Sequence, residues 1–252
     1  MTRAATRSHF HRSRLVRTLA DLGAVETAAP GAGFAEQLGQ WLDIGQAIAL
    51  RSAHNAPAAP AQPNTVSAQA LEKELNRVRT VLEAAITPSP RAGAPRNRLD
   101  LPRPKPGAPL ELASAFEPYR RYYLAHQREM DLKIPPLRAR LREALAGRTP
   151  ALAQLAALDA ALDATLSVRE APLLAGLPAL LEGRFKQLRQ AHLERLEATQ
   201  EADQPERWMQ PGGWLAGFCQ ELQSVLLAEL DLRLQPSLGL LEALNQETRR
   251  PI

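Results

Sequence analysis

Apolar residues return every third or fourth position over long stretches of this chain, the period of one face of an α-helix. The cleanest stripe is Leu71, Leu75, Val78, Leu82 and Ile86, with Lys73, Arg77 and Arg79 off it and Ser67 placed as an N-cap. It predicts a helix over 67–86. Two earlier helices follow from weaker patterns. One covers about 8–22 through Phe10, Leu15, Leu19 and Leu22, and the other about 34–54 through Phe34, Leu38, Trp41, Leu42 and Ile48. Gly23 and the Pro30-Gly31-Ala32-Gly33 stretch separate them.

From about residue 114 the helical pattern is nearly continuous. Pro118 suits a first turn before Tyr119, Tyr122, Tyr123, Leu124 and Met130, and Pro135-Pro136 predict a kink or break before Leu137, Leu141 and Leu145. Gly147 closes that element, and Thr149-Pro150 supplies an N-cap and an N1 proline for a seam of Leu152, Leu155, Leu158, Leu162 and Leu166. Pro172 and Pro178 disturb the next helix before Leu181, Phe185, Leu188 and Leu196. A polar break over 203–211 then leads into Pro211-Gly212-Gly213 and a last long helix, interrupted at Pro236 before Leu238, Leu241 and Leu244.

The period-two alternation of strands is missing, and no repeat of fixed length appears. The fold class predicted is therefore all-α, an elongated helical bundle of about six to eight helices with a Pro-rich internal linker. Residues 1–55 form a basic helical pair, 56–66 an Ala/Pro linker, 67–87 an amphipathic helix, and 112–252 the main bundle. Residues 88–111 read as an extended or disordered basic linker, since seven of the 22 residues in 88–109 are Pro and five are Lys or Arg.

Composition supports helix-on-helix packing. Aromatics are only 4% of the chain, so Leu, Ala and Val must build the core. The net charge of +4 conceals a split, +9 over 1–148 and −5 over 149–252, which would steer a partner or join subunits head to tail. The single cysteine, Cys219, sits among apolar neighbours and fits a reducing compartment. No uninterrupted apolar run reaches the roughly 18–20 residues of a membrane span, and no secretory h-region is seen near the N-terminus, so the expected location is the cytoplasm. The preference for Arg over Lys, with abundant Ala and Leu, points to a high-GC bacterial genome.

Candidate chemistry is sparse. His9 and His11 lie two apart and face different ways on a helix, and His54, His126 and His192 fall on separate elements without metal-ligand spacing. Asp159 and Asp163, an i, i+4 pair, read as a solvated face; Glu229 and Asp231 point apart and make no site. Pro211-Gly212-Gly213 precedes a helix without the Lys-Ser or Lys-Thr of a phosphate loop, and reads as a turn. No catalytic, metal or cofactor residues are assigned. Two groups remain. Tyr119, Arg120, Arg121, Tyr122 and Tyr123 form a polar-aromatic patch suited to packing or to stacking on bases. Leu215, Phe218, Leu222, Val225, Leu226 and Leu230 form a seam like that of a coiled coil, the expected docking face.

Several landmarks carry a resemblance. They are the run Phe116, Pro118, Tyr119, Arg120, Arg121, Tyr123 and Leu124, then Leu158-Asp159-Ala160, Arg169-Glu170, Pro178 with Leu180-Leu181, Arg184-Phe185, and the tail from Leu226 to Pro236. With the early Leu38, Trp41 and Leu42, they make most of the chain similar to the proteobacterial domain-of-unknown-function family numbered 3348. The resemblance implies a cytosolic bacterial helical protein, from a family often encoded beside envelope proteins, and brings no catalytic residues. Together these readings predict a non-enzymatic helical interaction or accessory protein. It would serve an envelope-associated complex, through a protein partner or self-association on a helical face. Nucleic-acid binding by the basic half is the alternative, and an unrecognised enzyme the third.

Overall fold

A computed structural model of the chain describes residues 13–23, 43–55, 67–87, 100–104 and 113–248. Among these the fold is all-α, as the periodicity predicts. The helices are α1 (Arg14–Asp21), α2 (Ile44–Asn55), α3 (Ala68–Ile86), α4 (Glu117–Ala146), α5 (Pro150–Ala175), α6 (Leu177–Thr199), the single turn α7 (Pro205–Trp208) and α8 (Trp214–Thr248).

Their starts follow from local chemistry. The hydroxyls of Ser13, Ser67 and Thr149 accept from Val16, Ala70 and Leu152 amides at 3.2, 3.1 and 3.4 Å, capping α1, α3 and α5. Asp43 and Gln46 form a reciprocal box at the head of α2: the Asp43 amide donates to Gln46 Oε1 at 3.1 Å, and the Gln46 amide to Asp43 Oδ1 at 2.7 Å. The portion of the second predicted helix before residue 43, with Phe34, Leu38, Trp41 and Leu42, lies outside the described residues, as do His9 and His11.

Internal prolines interrupt less than the sequence suggests. α4 runs through Pro135-Pro136, α5 through Pro172 and α8 through Pro236. A helical proline forfeits one hydrogen bond and crowds the preceding turn, a cost tertiary packing offsets here. Around Pro135-Pro136 the flanking Ile134, Leu137 and Leu141 are buried while both prolines face outward. The predicted polar break likewise contains α7, whose Trp208 is buried.

α8 is the axis. At 1.5 Å per residue it is about 50 Å long, and α1, α3, α4, α5, α6 and α7 all pack on it. One core cluster gathers around its first half with α1, the end of α3, the start of α4 and α6; the second gathers around its last turns with the start of α3, the end of α4 and Leu152 and Ala156 of α5. The Pro-rich linker touches the first cluster through Leu101, which packs against it from a non-helical stretch over 100–104. α2 differs from the rest: it lies on α5 and buries none of its own residues.

Candidate functional site

The predicted docking face of α8 lies inside the protein. Leu215, Phe218, Leu222, Val225, Leu226 and Leu230 are each 0% exposed, members of the larger core cluster. The reason is geometric. A helix surrounded on several sides by neighbours must bury the whole of its apolar stripe, so a coiled-coil-like spacing here records intramolecular contact.

The polar-aromatic patch also separates. Tyr119, Tyr122 and Tyr123 turn into the core, Tyr119 meeting Phe218 edge-on with centroids 5.5 Å apart, and the Tyr122 hydroxyl donating to the Ile86 carbonyl at 3.1 Å. Arg120 and Arg121 turn outward and pair with Glu117 of their own first turn. The face that would stack on bases and the face that would meet phosphates are therefore opposite sides of α4. Burial raises the pKa of all three phenols, that of Tyr122 to about 12, so they stay protonated.

A buried polar hub was not legible as a site. Glu229 of α8 is fully buried and accepts from Tyr123 Oη at 2.7 Å, from Gln127 Nε2 at 3.0 Å and from Arg233 Nε at 2.8 Å. Gln127 Nε2 also reaches the Leu174 carbonyl at 3.0 Å, and Arg233 reaches Asp131 at 2.5 Å. The carboxylate thus joins α4 to α8, and the Gln127 amide extends the network to α5. The available signal was a pair of i, i+4 spacings, Tyr123–Gln127 and Glu229–Arg233, with Glu229 three positions after Leu226 on the core face of α8. Beside the hub, a cleft of about 450 Å³ opens between α4, α5 and α8, with Asp131, Arg138, Asp163 and Arg233 on its polar wall and Met130, Ile134 and Leu174 on its apolar one.

Asp159 and Asp163 do not form a solvated face. Arg138 and Arg142 of α4 both grip the two carboxylates, with N–O distances of 2.6–2.7 Å between the charged ends. Burial alone would raise the Asp159 pKa, but the hydrogen bonds from both guanidiniums outweigh it and leave it below its ordinary value. Arg14 pairs with Asp231 in the same sense. The opposite charges of the two halves of the sequence join one part of the chain to the other.

Two further titratable groups are buried in the core. Cys219 is buried, and desolvation pushes its thiol up to about 12, far from a reactive thiolate. His126 is 1% exposed against the Tyr122 ring, with Nε2 unpaired, and burial pulls its pKa down to about 4. Among the described residues no group of three His, Cys, Asp or Glu side chains is placed to hold a metal ion.

Among the described residues, four of the five large apolar side chains at least 60% exposed lie on α2 and α5, the fifth being Leu132 of α4 at 66%. Ile44 and Ile48 of α2 are 82% and 60% exposed, and Val168 and Leu173 of α5 are 70% and 75% exposed. In the predicted α5 seam only Leu152 is buried, and Leu155 is at the surface, because α5 turns Asp159 and Asp163 toward α4. Besides His54, the ionisable residues of both helices are Arg51, Asp159, Asp163, Arg169 and Glu170, of which the two aspartates bind α4. Within Pro150–Thr199 one 18-residue window is apolar enough, by length and composition, to cross a membrane, and 17% of that window is buried.

A family model described as "Protein of unknown function (DUF3348)" matches residues 1–246. No curated protein and no solved structure matches the chain.

Proposed function

The chain belongs to the DUF3348 family, and from that premise we propose that it is a non-enzymatic helical interaction protein that self-associates through the outer side of its α2–α5 layer. One observation carries the reading: α2 and α5 carry the exposed large apolar side chains Ile44, Ile48, Val168 and Leu173, with only Arg51, His54, Arg169 and Glu170 as exposed ionisable residues. Leu132 of α4 and Leu180 of α6 apart, the exposed sides of α4 and α6 are different, carrying i, i+4 pairs such as Glu129–Lys133 and Glu182–Lys186 that suit water. A second copy of the chain is the occupant the chemistry favours. An isologous contact places a patch against itself, and a surface with few charges does so with little like-charge repulsion.

Light scattering over a concentration series tests it. The wild-type chain forms dimers, and Ile48→Lys combined with Val168→Lys returns it to monomer with unchanged helix content. A wild-type chain that stays monomeric, or a double variant that still dimerises, contradicts the reading; capture of a different helical protein on this layer by the monomer would replace the second copy as its occupant.

A further inference from the structure

At about 450 Å³, the cleft between α4, α5 and α8 falls within the range of small-molecule sites. Its polar wall is net acidic. Asp131, Asp163 and Glu170 line it against Arg138 and Arg233, and the ion pairs directly behind them add Asp159 and Glu229 against Arg142. Both guanidiniums on the wall are already committed, Arg138 to Asp159 and Asp163, and Arg233 to Glu229 and Asp131. Glu170 pairs with no base among the described residues. The surplus charge at the cleft is therefore negative.

Two prolines add backbone acceptors. Proline has no N–H, so a proline inside a helix leaves the carbonyl four residues earlier without its usual donor. Pro135 does this to Asp131 in α4, and Pro236 does it to Leu232 in α8. All four residues line the cleft. Two helices thus each bring to the same cleft a carbonyl deprived of its helical partner, and such carbonyls carry the partial negative charge otherwise found at a helix C-terminus. The other wall is apolar, formed by Met130, Ile134 and Leu174, all buried.

We infer that this cleft binds a small organic cation, an ammonium group on a compact aliphatic body. The three N–H donors of the ammonium meet the Asp131 and Leu232 carbonyls and the Glu170 carboxylate, and the aliphatic body packs on Met130, Ile134 and Leu174. A bare metal ion suits the cleft less well, because one wall is apolar and no three ligating side chains converge among the described residues.

Cyclohexylammonium and cyclohexanol are nearly equal in shape and differ in charge, which makes them the probes of choice. Each is titrated into the full chain at constant ionic strength and followed by saturation-transfer NMR. Saturable binding of cyclohexylammonium is expected, with cyclohexanol weaker by about tenfold or more. Glu170→Gln, at an exposed and unpaired position, weakens the cation by about tenfold and leaves the alcohol unchanged. Pro236→Ala returns an N–H donor to the Leu232 carbonyl, and weakens the cation severalfold while helix content is kept. Equal affinity for the two probes, no saturable binding of the cation, or wild-type affinity for it in either variant would overturn the inference.

Discussion

Two sets of large apolar residues in this protein have opposite fates. The α8 seam is wrapped by helices on several sides and leaves no atom of Leu222 or Leu226 to water. The outer side of α2 and α5 has comparable aliphatic residues, but α2 buries nothing and Ile44 stays 82% exposed. Periodicity identifies an apolar face; the number of neighbours decides whether that face is core or contact surface. Charge separates the cases further. Where a surface of this chain meets water it is dense in ion pairs, and where it meets protein it is apolar or pairs its charges internally, as Arg138 and Arg142 do with Asp159 and Asp163.

Leu222→Asp breaks the comparison most severely. A carboxylate placed at a fully buried position without a partner costs about 4 kcal/mol or more, so helix content and the thermal transition should collapse together in circular dichroism. A folded Leu222→Asp chain with altered assembly would restore the seam as an interface.

Glu229→Ala ranks next. It leaves Tyr123, Gln127 and Arg233 without their common acceptor in the core, at a cost of about 3–5 kcal/mol, read as a lowered urea midpoint. Loss below about 1 kcal/mol would mean that the hub is not a joint between α4 and α8.

A smaller effect is pH-dependent and again belongs to the tightly packed region. His126 titrates near 4 in the fold because burial disfavours its charged form, against about 6.5 when unfolded. Between those values the unfolded chain binds a proton that the folded one refuses, so stability falls as pH drops through that window, by up to about 3 kcal/mol. His126→Leu should flatten that slope in denaturation curves taken from pH 7 to 4.5. A wild-type curve already flat there would show that His126 is hydrated in the fold.

Much of this architecture was legible. Ser67 and Thr149 capped the helices they were expected to cap, and the Leu71–Ile86 stripe is buried except for Val78, which is partly so. The all-α class followed from periodicity alone. The resemblance carried by the Tyr-Arg run and the Leu226–Pro236 tail agrees with the family match over residues 1–246. What failed did so for tertiary reasons. Pro135-Pro136 read as a kink or break and Pro236 as an interruption, whereas both helices continue through them, because the packing that holds a helix together there is invisible in a local pattern. Tyr119, Arg120, Arg121, Tyr122 and Tyr123 read as one patch because adjacency along a chain is not adjacency on a helix face. Glu229 escaped because its partners Tyr123 and Gln127 lie more than 100 positions away. Trp208 falls in the predicted polar break, yet it is buried in α7 because its ring packs on Trp214 and its indole N–H donates to Asp203.

The central claim, that the α2–α5 layer and not the α8 seam is the contact surface, is tested most directly by sedimentation equilibrium of the wild type beside Ile48→Lys/Val168→Lys. Lysines at those exposed positions should change stability by no more than about 0.5 kcal/mol, so the double variant stays folded by circular dichroism while its mass falls from dimer to monomer. A double variant with the same mass as the wild type, at every concentration, would contradict the account.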